Sequence, residues 1–405
     1  MLTPEQKKQF NEIFDHLSKS LNISKERYDQ AVASYQFVGD WLARPESALA
    51  PYKPEILPQG SFIFGTMIEP VDECDDLDID LVCRLTGKND SWTQYHLKKI
   101  VGDRLKDHGT FKRMLDKEGR RCWTLLHRDQ ARFHMDILPA IINEEYFVIL
   151  EKAMSANRQQ DFETAAIRIT DKLTHNYSSS TNPDEWLKSN PFGLAAWFKL
   201  RASLALQKAM SLNEAIQPVP DNETNKLPLQ CVVQILKRHR DILFKGDEQK
   251  PISIIITVLS ARAYKGETDV LDALISIVNT MENFIEERYD RASGKNVKWI
   301  SNPVNPEENF ADKWPAEPAK QEKFFKWLEC VKKDVNQVIT QKGLHNIQTA
   351  MAKSFGERTV NNVFSKIGEN AKAQRDGGVM KMAASTGVLG SSGRAHVGYH
   401  NNFGK

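Results

Sequence analysis

Cysteine is scarce in this chain: five residues in 405, Cys74, Cys83, Cys122, Cys231 and Cys330, with no Cys-x-x-Cys pair. An odd number without paired spacing argues against a disulfide framework and against a cysteine-based zinc site. Long apolar runs are missing as well. No stretch approaches the about 18 residues of a membrane helix and no signal peptide opens the chain, so a cytosolic protein without membrane contact is expected. Charge of one sign is also lacking. The formal net charge is +2, which gives no whole-chain argument for nucleic acid. There is no internal repeat. What remains is an ordinary globular composition, 40% hydrophobic and 27% charged, in a chain long enough for two domains sharing a cleft. A basic excess is local, with eleven Lys or Arg against five Asp or Glu between Tyr95 and Phe133. It suits a phosphate-bearing ligand and equally a solvated helix-and-loop face.

The chain opens on "TPEQKKQFNEIFDHLSKS", where Thr3 can cap a helix, Pro4 suits its first position and Gln6 completes a capping box. A second helix follows Ser24, with Tyr28, Val32, Tyr35, Val38 and Leu42 at helical spacing. From Ile56 to Ile142 the period becomes strand-like in "SFIFGTMI", "LDIDLVCRL", "CWTLLH" and "RFHMDILPAII", with the helical "SWTQYHLKKIVGDRLKDHG" between. That alternation predicts an α/β (α+β) domain on a mixed sheet. Helices then dominate: Pro191 to Leu212, Leu227 to Phe244, Pro251 to Tyr264, Asp269 to Tyr289, and "FFKWLECVKKDVNQVITQ". The Pro-rich "NPVNPEENFADKWPAEPAK" reads as a surface excursion.

The acids Asp72, Glu73, Asp75, Asp76, Asp78 and Asp80 crowd one short stretch that runs into apolar sequence. In a strand "LDIDL", Asp78 and Asp80 share one face, with Leu77, Ile79 and Leu81 on the other. Two carboxylates about 6.5 Å apart along a strand can both ligate a hard cation. "FHMDILPA" supplies a third, Asp136, on the face of His134 and Leu138. An unpaired Asp among apolar neighbours is costly to bury, and a shared metal removes the cost. Three carboxylates can hold two divalent ions about 3.5–4 Å apart. Upstream, "PQGS" offers Gly60 for close backbone approach and Ser61 for a phosphate, with amides that can cradle an anion. Metal carboxylates after an anion-cradling turn point to a nucleoside triphosphate. An EF-hand loop starting at Asp76 fails, because its sixth and twelfth positions are Leu81 and Gly87. The two His-Arg-Asp triplets are not kinase loops, since His134 and Gly246 stand where Asn is needed and there is no Asp-Phe-Gly.

"QGS", "LDIDL" and "FHMDILPA" together resemble the nucleotidyltransferase superfamily with a polymerase-β-like core. Helices such as "LPLQCVVQILKRHRDILF" and "KPISIIITVLSARAY" resemble its bacterial CD-NTase branch, relatives of cyclic GMP-AMP synthase and oligoadenylate synthase that serve the anti-phage CBASS systems. The resemblance implies a mixed-sheet core and a helical second lobe with a cleft between them. It places N-terminal helices at 1–50, packing on both lobes, the catalytic core at 51–185 and the helical lobe at 186–370, while many Gly and Ser residues and few large apolar ones predict a mobile tail at 371–405. It implies cyclic di- or trinucleotide synthesis from ATP or other NTPs with Mg²⁺ or Mn²⁺. Asp78, Asp80 and Asp136 would be the metal carboxylates, and Gln59, Gly60 and Ser61 would hold the donor triphosphate. Lys237 and Ser253 match the family's further triphosphate contacts by position, and Ser253 equally suits a helix cap. Ile254 stands where an aromatic often stacks on the donor base. The tail "HNNFGK" would suit a ubiquitin-transfer-like conjugating partner, another activator being the alternative, and a downstream effector would sense the product. The zinc thumb of the animal DNA sensor has no counterpart here. Two other readings stay open: a synthase of linear products or a modifier of RNA or protein, and a catalytically dead nucleic-acid-binding module.

Overall fold

A computed structural model describes residues 2–72, 76–127, 132–142, 166–207, 226–290, 294–383, 386–390 and 395–397. The chain folds as two compact units, one of residues 23–201 and 299–312, the other of 1–22, 202–298 and 313–405.

The first unit is built on a six-stranded mixed sheet. Strand β1 (Glu55–Pro58) pairs antiparallel with β2 (Leu77–Thr86), and β2 pairs parallel with β4 (Phe133–Ile142). The far edge of β4 is shared. Strand β3 (Trp123–His127) pairs with its first half and β5 (Ile167–Ile169) with its second, and β6 (Leu187–Ser189) continues the sheet. Alternation along β2 sorts its side chains. Leu77, Ile79, Leu81, Cys83 and Leu85 enter one core with Phe133, Met135, Ile137 and Ile141 of β4. That face is covered by α2 (Lys25–Ala43), α4 (Gln94–Lys106) and α5 (Gly109–Met114), through Ala31, Val38 and Leu42, Leu97, Val101 and Leu105, and Phe111. Each fully buried Leu or Ile contributes about 1.5–3 kcal/mol, so the register is strongly specified. On the opposite face Val82, Leu138, Ala140, Ile142, Ile167 and Ile169 form a smaller core with Phe192. That core takes the later residues of β2 and β4, and their earlier residues are Asp78, Asp80, His134 and Asp136.

The "SFIFGTMI" segment differs from its strand-like expectation. The strand is β1, ending at Pro58, and Gly60–Ile63 forms a helical turn, α3. Gly60 takes φ +59, a left-handed conformation that breaks the extended path, and the Thr66 amide closes on the Ser61 carbonyl at 3.0 Å. The apolar spacing there serves docking instead, since Phe62 stacks on Tyr28 of α2 with centroids 5.1 Å apart.

The second unit is mainly helical. Helix α1 (Pro4–Ser20) has the expected capping box, with Thr3 and Gln6 satisfying each other's backbone. It packs on helices Pro228–Phe244, Val270–Thr280 and Glu357–Asp376. Ser18 donates to Gln234 at 3.1 Å and Gln234 donates to Asn22 at 3.0 Å, which satisfies the polar groups this packing buries. The helix expected from Asp269 to Tyr289 ends at Thr280. After a short 3₁₀ turn, Glu286–Asp290 becomes a strand paired with Lys295–Trp299. The excursion expected around "NPVNPEENF" forms a hairpin of Ser301–Asn302 and Asn305–Asn309 in the sheet unit. Within the segment expected as a tail, helix Glu357–Asp376 is followed by a small three-stranded sheet. "HNNFGK" lies outside the described residues. Among the described residues no helix is long and apolar enough to cross a membrane.

Candidate active site

The carboxylates are positioned by strand register. Asp80 is paired with Asp136 across the parallel β2–β4 ladder, and Asp78 with His134 two residues earlier. Register and alternation together put all three Asp side chains on one face, as the sequence predicts. Thr124 of β3 pairs with Asp136 in the antiparallel ladder, and its hydroxyl donates to Asp136 Oδ1. Asp78 is paired with His134 through Nε2, and its side chain is 74% exposed.

The Gly60 turn abuts these acids. The Gln59 amide donates to the Asp80 carbonyl at 2.8 Å, which fastens the start of α3 to β2. A Cβ on Gly60 would sit 2.8 Å from Asp80 Oδ2, so φ and space both require glycine. Gln59 is the N-cap residue of α3 without a side-chain cap bond, and Ser61 is its second helical residue.

The neighbours respond to the concentrated negative charge. The hydrogen bond to Asp78 raises the pKa of His134 above its ordinary value against the opposing effect of burial, with Asp78, Asp136 and Asp76 adding their fields. Cys122, just before β3, has its thiol pushed up to about 12, first by burial and then by Asp136 and Asp80. A field of that sign draws cations.

Among the described residues no group of three or more His, Cys, Asp or Glu side chains is drawn together tightly enough to hold a metal ion by itself. The strands present an open face of hard carboxylate oxygens, with a glycine where a side chain would press on one of them. That donor set suits Mg²⁺ or Mn²⁺, which bind few protein carboxylates and complete their shell with water and substrate phosphates. Sequence reasoning missed Thr124 and the pairing of His134. Strand alternation marked the faces, but which strand lies beside β4 is a matter of topology.

Lys237 and Ser253 belong to the helical unit. Lys237 is buried in helix Pro228–Phe244, 5% exposed. Ser253 opens helix Ser253–Ala263, whose N-cap residue is Ile252, and its hydroxyl accepts from Arg240 Nη1 at 2.8 Å.

A parallel strand pair with three carboxylates on one face, next to a Gly-Ser turn, is the arrangement expected of a nucleotidyltransferase with a polymerase-β-like core. Residues 54–139 match the model of the nucleotidyltransferase domain of DncV-like cyclic GMP-AMP synthases. A c-di-GMP synthase of Roseivirga ehrenbergii is 25% identical over 395 residues, 96% of this chain and 95% of that one. The structure of the CD-NTase CdnG of Bradyrhizobium diazoefficiens in complex with GTP is similar at a TM-score of 0.65 and 19% identity, covering 89% of this chain and 99% of that one. The CdnC:HORMA-deltaN complex of E. coli MS115-1 gives 0.54 at 14% identity, covering 83% and 93%. The chain thus carries a DncV-like nucleotidyltransferase domain at residues 54–139 and is similar along most of its length to bacterial cyclic dinucleotide synthases.

Proposed function

We propose that this enzyme joins NTPs, GTP among them, into a cyclic dinucleotide through Asp78, Asp80 and Asp136. The observation that carries the reading is the register of Asp80 against Asp136 beside the Gly60 turn. The substrate and product follow the similarity to a c-di-GMP synthase and to a GTP-bound CdnG.

In this reading the donor triphosphate lies along the Gly60–Ser61 turn. Backbone amides and the Ser61 hydroxyl bind its oxygens, and Gly60 leaves room for them beside Asp80. The three carboxylates would hold Mg²⁺ or Mn²⁺, which when bound would neutralise phosphate charge and lower the pKa of an attacking hydroxyl. Thr124 fixes the rotamer of Asp136 by donating to Oδ1. The ribose hydroxyl of the acceptor attacks the donor α-phosphorus, the new phosphodiester forms and pyrophosphate leaves. A second transfer closes the ring. Most of the acceleration comes from alignment and from charges fixed in advance. Lys237 and Ser253 retain, as part of the proposal, the triphosphate role that the resemblance gives them. Because the similar CdnC is in complex with HORMA, a protein activator belongs to the proposal as well.

The test is product identity. Purified protein is incubated with the four NTPs and Mg²⁺ or Mn²⁺, treated with phosphatase and read by mass spectrometry. A phosphatase-resistant dinucleotide, one water lighter than the linear form, is expected from the native chain. The Asp78→Asn/Asp80→Asn double variant should fold and yield none. Full activity in that variant would sink the assignment.

A further inference from the structure

One guanidinium ties helix α2 to the start of the strand pair that carries the carboxylates. Arg27 Nη1 donates to Glu69 Oε2 at 2.6 Å, and Nη2 donates to the carbonyl of Arg132 at 3.1 Å. The other oxygen of Glu69 accepts from the amide of Ser24, the N-cap residue of α2, at 2.8 Å. The Arg132 carbonyl also accepts from the Leu77 amide at 3.0 Å. Leu77 opens β2, and Arg132 immediately precedes β4.

That carbonyl is therefore where the ladder begins. Leu77 against Phe133 sets Asp78 against His134 and Asp80 against Asp136. Slipping by one residue would turn the acids to the other face of the sheet. Arg132 takes φ +40, a conformation that residues with side chains avoid and that persists only where the surroundings hold it. Arg27 and Glu69 are 20% and 28% exposed, so their pair is less screened than a surface one. The next residue of α2, Tyr28, stacks on Phe62 at 5.1 Å, and Tyr35 meets the same ring edge-on at 6.1 Å. Phe62 lies in the turn of Gly60 and Ser61. Consecutive residues of one helix thus grip both the start of the acid-bearing ladder and the glycine turn.

We infer that Arg27 is a positioning residue for nucleotidyl transfer, setting Asp78 and Asp80 on β2 against Asp136 on β4 through the Arg132 carbonyl. The inference rests on the reaction proposed above. The guanidinium is required rather than charge alone, because one planar group must donate to a carboxylate and a carbonyl in different directions.

The test compares the full chain with Arg27→Met and Arg27→Lys, measuring kcat, KM for GTP, the Mn²⁺ and Mg²⁺ needed for half-maximal rate, and the thermal midpoint. For Arg27→Met, kcat should fall about 10–100-fold, as for removal of a group that orients a metal ligand. Half-maximal metal should rise while KM changes little, and Arg27→Lys should recover only part of the loss. A loss explained by the unfolded fraction alone, or a native kcat and metal demand in Arg27→Met, would overturn the inference. If the native chain makes no product, the proposed reaction is what has failed. Hydrogen exchange then decides the positioning role: the Leu77 amide should exchange faster in Arg27→Met than in the native chain, and an unchanged rate would refute it.

Discussion

At the scale of single residues, Gly60 shows how tightly the site is drawn. Its φ of +59 costs a residue with a side chain about 1–2 kcal/mol. The added Cβ would also sit 2.8 Å from Asp80 Oδ2. Gly60→Ala should therefore leave the fold in place and push the carboxylate and the turn apart. Misplacement on the order of 1 Å costs about 100-fold in rate. Rates per folded molecule, with circular dichroism as the check on folding, measure this, and an alanine variant as fast as the native enzyme would refute the close approach. The sequence made Gly60 and the three aspartates legible, because residue type alone carries the requirement for a missing side chain or a hard oxygen. Thr124 was not legible, since a threonine in a strand is ordinary until its partner strand is known.

At the scale of elements, Trp123 of β3 ties that strand to α4. The Trp123 indole donates to the Lys98 carbonyl at 2.9 Å and lies against Gly102 of the same helix. A Cβ on Gly102 would fall 2.1 Å from Trp123 Cζ2. Gly102→Ala gains helix propensity but must displace the ring, with a net cost of about 1–3 kcal/mol. Urea unfolding followed by tryptophan fluorescence should show it, and a variant as stable as the native protein would mean the ring has room to move. Periodicity read α1, α2, β2 and β4 well, because each has one apolar face over many residues. Among the segments it misread, two have a clear cause. "SFIFGTMI" alternates like a strand, but a left-handed glycine turns it into a helical corner. The helix from Asp269 gives way to a strand after Thr280, where "EERYD" finds a pairing partner in Lys295–Trp299.

At the scale of the whole molecule, each unit contains a carboxylate held below its ordinary range. In the sheet unit, burial pushes Asp171 up, but hydrogen bonds from Arg120, the Leu173 amide and Arg121 outweigh it. In the helical unit, Asp334 is lowered chiefly by His239 and further by the Ser354 hydroxyl. A depressed carboxyl contributes stability that is present above its unfolded pKa of about 3.9 and is lost as pH falls through the folded value. Asp171→Asn and Asp334→Asn should each cost about 1–3 kcal/mol at neutral pH. Their deficit against the native chain should shrink below about pH 4. Denaturant unfolding at pH 7 and at acid pH measures both, and a deficit independent of pH would contradict the assignment.

Residue order along the chain sets the chemistry on offer and the faces that present it. Strand alternation put Asp78 and Asp80 together and Asp136 with His134, and the Gly-Ser pair marked the turn. These are properties of neighbouring residues, fixed by backbone geometry. Tertiary structure alone decided that β2 runs parallel to β4 in the register that sets Asp80 against Asp136, with Thr124 beside it. It alone decided that Arg27 reaches Arg132, 105 positions away. Such pairings depend on which distant surfaces bury the most apolar area together, and no local pattern encodes that sum.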